Sequence, residues 1–119
     1  MSLPVFTTHA EMRMRQRGLD RRAALLVARL FDGRAHVGRG LESRWLSPER
    51  ARRLRRAGLP GALLERMRRI VLVVDPATGI VVTALHAGSL RAHRYRRGIR
   101  GPWRGAAVND DRSGREEAA

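Results

Sequence analysis

The stretch Ile70-Val71-Leu72-Val73-Val74-Asp75-Pro76-Ala77-Thr78-Gly79-Ile80-Val81-Val82-Thr83-Ala84-Leu85 decides the fold. Two runs of branched aliphatic residues flank a five-residue segment holding Asp, Pro, Thr and Gly, the residue types that turn a chain. Apolar residues at adjacent positions, rather than alternate ones, mean that both faces of each strand are covered. The reading is a hairpin at the centre of an antiparallel sheet. Alternation places His86, which closes the second strand, on one face with Ile80, Val82 and Ala84. Thr83 then points the other way with Val81 and Leu85.

Outward from the hairpin the pattern is helical. Ser47-Pro48-Glu49 is a helix start, with serine at the cap, proline in the first turn and an acid behind it. The helix it opens runs to Ala57 and stops at Gly58, and Ala51, Leu54 and Ala57 form its docking strip. Pro60 opens a further helix over Gly61 to Arg69. Upstream, Arg34 to Gly38 and Leu41 to Leu46 pair as a short hairpin across Arg39-Gly40. Thr8-His9-Ala10-Glu11 reads as a capping box for a helix from His9 to Arg17, closed by Gly18. Asp20 caps a second helix with Leu26, Val27, Leu30 and Phe31 on its apolar face, ended by Gly33. The fold class expected is α+β: N-terminal helices packed on a small curved antiparallel sheet, with an arginine-rich C-terminal arm. The domain spans 5–87, and 88–119 is a basic arm and a disordered polar tail.

The chain has 119 residues, enough for one core and no more. Its 25 basic residues are all arginine and face 11 acids, for a formal charge of +14. Codon bias in a GC-rich genome is the plain account of the missing lysine and a choice of arginine for phosphate the other, and the surface charge is the same whatever its origin. Such a balance disfavours an acidic interaction protein and favours a polyanionic partner. Arginine suits that partner, because its planar fork grips phosphate bidentately and stacks on bases. Cysteine is absent, which excludes disulfides and thiolate zinc sites. No apolar run approaches the ~20 residues of a membrane span, and the start is unlike a signal peptide, so a cytoplasmic protein without a membrane partner is expected.

His9, Arg13 and Arg17 recur at i, i+4 and i+8. At ~100° per residue they fall within about 80° of one helix face. An imidazole beside two fixed cations suits phosphodiester chemistry: the ring moves a proton while the guanidiniums offset charge in the transition state. A solvated arginine face with a hydrogen-bonded histidine is the plain structural alternative.

The motif His9-Ala10-x-x-Arg13-Met14-x-x-Arg17-Gly18-Leu19 resembles the opening signature of a widespread family of small bacterial proteins, a domain of unknown function with the pattern HAxxRMxxRGI. That family also ends in a valine-rich hairpin similar to Ile70 to Thr83, so the resemblance covers about residues 7 to 85. The family is grouped with the barnase–EndoU–colicin–RelE class of small nucleases, many of them toxins, which cleave RNA without a metal. The resemblance implies that His9, Arg13 and Arg17 line a site against the sheet face. His86 and the arginine-rich arm lie outside the family pattern, and what is assigned to them rests on this sequence alone.

His86, at the rim of the sheet, is the candidate second proton-transfer group, donating to the leaving 5′ oxygen as His9 deprotonates the 2′ hydroxyl. An ordinary polar strand end is the competing reading. His36 and His93 are weaker candidates, and the four histidines lack metal-ligand spacing, so neither a metal nor another cofactor is expected. Arg44, Arg50, Arg53 and Arg56 are the candidate phosphate contacts of the middle of the chain. In the arm, Arg91, Arg94, Arg96 and Arg97 interleave with Tyr95 and Trp103, a composition that suits single-stranded nucleic acid.

Two functions follow as expectations. The first is a small RNA-directed endonuclease of toxin type, cleaving without a metal on a basic sheet face. The alternative is a non-catalytic RNA-, DNA- or ribosome-binding module on the same fold. RNA is the expected partner, with the ribosome and an acidic antitoxin as further candidates.

Overall fold

A computed structural model describes residues 4–97 of the chain. Its elements run α1 (Thr8–Gln16), α2 (Arg21–Leu30), β1 (Gly33–Gly38), β2 (Leu41–Trp45), α3 (Pro48–Arg56), α4 (Gly61–Arg68), β3 (Ile70–Asp75), β4 (Ile80–His86) and α5 (Leu90–Arg97). The four strands form one sheet in the order β1-β2-β3-β4, every neighbouring pair antiparallel. The α+β class expected from the sequence is therefore the class observed.

The aliphatic hairpin forms as its residues dictate. In the turn, the Asp75 carboxylate accepts from the Ala77 amide at 3.0 Å, and the Asp75 carbonyl accepts from Gly79 at 2.7 Å. Of the two hairpin strands only β3 is interior, however. β4 is the outer strand, and its far edge meets a short parallel bridge between Phe6 and Val81.

The alternation expected along β4 is also broken. Val74 pairs with Val81 but Val73 pairs with Thr83, so Val82 is an extra, bulged residue. Across the bulge Val81 joins Ala84 in the first core cluster, and Val82 packs with Leu85 in the second. His86, paired with Ile70, thus shares its face with Ala84 and Val81, not with Val82.

Both sheet faces are covered, which explains the unbroken apolar runs. On the first, Ile70, Leu72, Val74, Val81 and Ala84 bury against Ala10 and Met14 of α1, Ala24 and Val27 of α2, and Leu64 and Met67 of α4. On the second, Val71, Val73 and Leu85 bury against Ala92 of α5, with Tyr95, Trp45 and Val82 packed around them. Residues 90–97, read from sequence as the start of an arm, form this covering helix. Ser43 Oγ ties it down by donating to the Tyr95 carbonyl at 2.8 Å.

Local signals place the helices, with two shifts. The cap of α1 is Thr7 rather than Thr8: its hydroxyl accepts from the Ala10 amide at 3.0 Å. Glu11 does not reach back to the cap, because Arg21 takes its carboxylate in a forked pair at 3.0–3.1 Å. Gly18, at φ 64°, closes α1 as expected, and the Leu19 amide bonds back to the Met14 carbonyl. Gly33 does not stop α2; it opens β1, where the Trp45 ring lies so close that a Cβ would sit 2.1 Å from it. Asp20 caps α2 and Ser47 caps α3, as the sequence indicates. Asp32 clasps the α3 cap by accepting from the Ser47 amide at 2.8 Å and the Ser47 hydroxyl at 2.6 Å. Burial pushes the Asp32 carboxyl up, but the Ser47 hydrogen bonds outweigh it and hold the group below the usual carboxylate range.

Candidate nucleic-acid interface

Helix α1 lies along the outer edge of β4. Residues 5–7 pair with the first part of that edge: the Val81 amide donates to Val5, and the Thr7 amide donates back to Val81. The Thr7 hydroxyl adds a bond to the Val82 carbonyl at 3.2 Å. Further along, the Arg17 guanidinium donates to the Ala84 carbonyl. Arg17 therefore covers an edge acceptor that would otherwise be open to another strand.

This contact uses one of the five N–H groups of Arg17. Partial burial first, and then the positive charges of Arg13 and Arg91, make the guanidinium easier to deprotonate than usual. Arg91 arrives from the first turn of α5, on the opposite side of β4 from α1. Among the described residues the Arg13 side chain bonds only to the Gln16 amide oxygen, at 3.1 Å. Among the described residues no carboxylate forms an ion pair with Arg13, Arg17 or Arg91. Packing on both sheet faces thus brings two like charges to Arg17 at the β4 rim, against their repulsion of it.

His86 stands at the same end of β4, two residues beyond Ala84, and is exposed. Its Nδ1 accepts from the Gly88 amide at 3.1 Å, so the neutral ring carries its proton on Nε2. His9 is exposed and has no hydrogen-bonding partner among the described residues. It belongs to the beginning of α1, which abuts Val81 and Val82, and lies about 12 Å along the helix axis from Arg17. The structure thus brings Arg13 and Arg91 to Arg17, places His86 two residues further along β4 from the carbonyl that Arg17 holds, and sets His9 at the other end of α1. The acid–base pair expected from the sequence is not assembled across one phosphate.

The site also lies at a rim rather than on an open sheet face, since helices cover both faces. Several expected contacts have other partners. Arg44 is clasped by Glu42 at 2.6 Å and lies over the Phe31 ring at 4.5 Å, with Arg34 completing the pair of cations around that buried carboxylate. Arg50 donates to the Leu30 carbonyl at 3.1 Å and docks α3 on the end of α2. Arg96 donates to the Ala87 carbonyl at 3.0 Å, and Tyr95 is half-buried against the second core cluster rather than offered as a stacking platform. Arg53, Arg56, Arg94 and Arg97 are exposed, as is His93. Trp103 lies outside the described residues. His36 is half-buried in β1, and burial pushes its imidazole below the usual value. Arg52 and Arg55, which the sequence places in the same arginine run, are exposed beside Arg53 and Arg56.

No group of three or more potential metal ligands occurs among the described residues, and none of their helices is long and apolar enough to cross a membrane. Comparison with known proteins returns no matching family model, curated protein or solved structure.

Proposed function

We propose that the protein binds RNA by its phosphate backbone, with the β4 rim as the central contact. One observation carries this reading: Arg13 and Arg91, from helices on opposite sheet faces, both lie within electrostatic reach of Arg17, and among the described residues no carboxylate is paired to any of the three. Cations gathered at a cost in repulsion are relieved by an anion, and a polynucleotide supplies several at close spacing. The Nε2–H of His86 adds a neutral donor to a phosphate oxygen at the same place. Cytoplasmic RNA, free or in the ribosome, is the partner this chemistry fits.

A second reading has its own support. An exposed imidazole next to guanidiniums is the equipment of metal-independent RNA cleavage, and the signature His9-x-x-x-Arg13-x-x-x-Arg17 resembles that of a family grouped with such nucleases. Incubating the protein with total RNA in the presence of a chelator separates the two. The binding proposal expects the RNA to be retained intact on the protein and released by salt. Chelator-resistant fragments that disappear in His86→Ala, in His9→Ala or in both would instead establish the nuclease. RNA that neither binds nor is cut would remove both.

A further inference from the structure

Helix α3 carries a second cationic surface, built from other residues than the rim. Arg52, Arg53, Arg55 and Arg56 are all exposed, and at ~100° per residue they occupy an arc of about 160°. Ala51 is buried and Leu54 half-buried beneath them. Ala57, which the sequence assigns to the docking strip, is exposed. Arg52 repels Arg55 and Arg56, and Arg53 repels Arg56, at the i, i+3 and i, i+4 spacings that bring side chains together. The only acid in the helix, Glu49, sits in its first turn.

The platform is firmly seated. Ser47 caps it, Asp32 clasps the cap, and Arg50 ties it to the end of α2. The Arg55 guanidinium lies directly against Gly61, where a Cβ would stand 2.4 Å from its Nη1, so the bare glycine leaves room for that cation at the start of α4.

We infer that α3 docks on the backbone of a double-helical RNA segment. The argument is one of charge density. From Arg52 to Arg56 the helix rises about 6 Å, and double-stranded DNA presents one negative charge per ~1.7 Å of axis with both strands counted, so a double helix of that length holds about three to four phosphates. A single strand, at ~3.4 Å per charge, offers only about two. Four arginines over that rise match the duplex. The inference rests on the RNA-binding proposal and adds to it a preference for a stem beside the strand held at the β4 rim.

The test uses the full-length protein and two labelled RNAs of equal length, a hairpin and an unstructured strand. In R52Q/R53Q/R55Q/R56Q the hairpin affinity should fall at least about tenfold, and its logarithmic salt slope should shrink by about three. Affinity for the unstructured strand should stay within about twofold, whereas R13Q/R91Q should weaken that strand. Equal losses for both RNAs in the α3 variant, or no loss for either, would overturn the inference while leaving the rim proposal standing. Displacement of the hairpin by the rim variant alone would do the same. Binding of a polyglutamate peptide to α3 in preference to the hairpin would assign the surface to an acidic protein and overturn it too. Failure of the wild type to bind either RNA would remove both the inference and the function it rests on.

Discussion

A glutamine in place of Glu42 lowers the unfolding free energy by about 3 kcal/mol. Glu42 is 8% exposed, and its carboxylate holds Arg44 at 2.6 Å and Arg34 at 3.3 Å, while Arg44 is pressed over Phe31. Glutamine keeps the shape and one acceptor but removes the negative charge. Arg44, itself largely buried, is then left beside the exposed Arg34 guanidinium with no carboxylate to offset its charge. Removing one partner of a buried pair is strongly destabilising for this reason, whereas an exposed pair is worth only ~0–1 kcal/mol. Urea unfolding checks it through the midpoint at an unchanged slope. The double variant Glu42→Met/Arg44→Met should lose less than the single one. A single-variant loss below about 0.5 kcal/mol would show instead that solvent screens the cluster as it screens a surface pair.

Reversing two rim charges, in Arg13→Glu/Arg91→Glu, should cut RNA affinity by at least about 100-fold. Each lost charge-assisted hydrogen bond removes about 1.5 kcal/mol, and two together correspond to roughly that factor before any new repulsion is added. Arg17 is left in place, because its guanidinium covers the Ala84 carbonyl at the sheet edge. The thermal midpoint should move the other way or not at all. Both substituted residues lie outside the apolar clusters, and their removal takes away the positive charges that add to burial in lowering the Arg17 pKa. Affinity by fluorescence anisotropy and stability by thermal unfolding therefore make a paired readout. A parallel fall in both would mean that the arginines serve the fold rather than a ligand.

What the sequence makes legible is what neighbouring residues decide among themselves. The Asp75 to Gly79 turn, the caps at Asp20 and Ser47, and the Gly18 stop all depend on contacts a few residues long, and each is where its residue types place it. The Val82 bulge is invisible for a physical reason: its neighbours Ile80 and Val81 are as apolar as it is, so one extra residue there changes no polarity and the alternation cannot reveal it. Helix α5 hides similarly. Its largest aliphatic residue, Leu90, is 82% exposed, and the helix docks through Ala92 and Tyr95 instead, leaving its sequence with the look of a charged arm.

The site divides along the same line. The stripe of His9, Arg13 and Arg17 can be read from helical spacing, but Arg91 joins it only because α1 and α5 lie on opposite sheet faces and meet at one edge. Arg44 looks like a phosphate contact until strand register sets Glu42 and Arg34 on its face: Arg34 is paired across from Arg44, and Glu42 lies two residues along the same strand. Separating an arginine spent on the fold from one offered to a partner takes knowledge of where the acids go. Among residues 4–97 the acids Glu11, Asp20, Asp32, Glu42 and Asp75 are engaged at caps, turns or ion pairs.

The most direct measurement is the salt dependence of binding to a short unstructured RNA, for the wild type and for Arg13→Gln/Arg91→Gln. Each phosphate contact on a single strand contributes about −0.7 to the slope of log K against log salt, so removal of two should flatten the slope by about 1.4. A variant with the slope and affinity of the wild type would mean that the gathered guanidiniums of the β4 rim hold no phosphate.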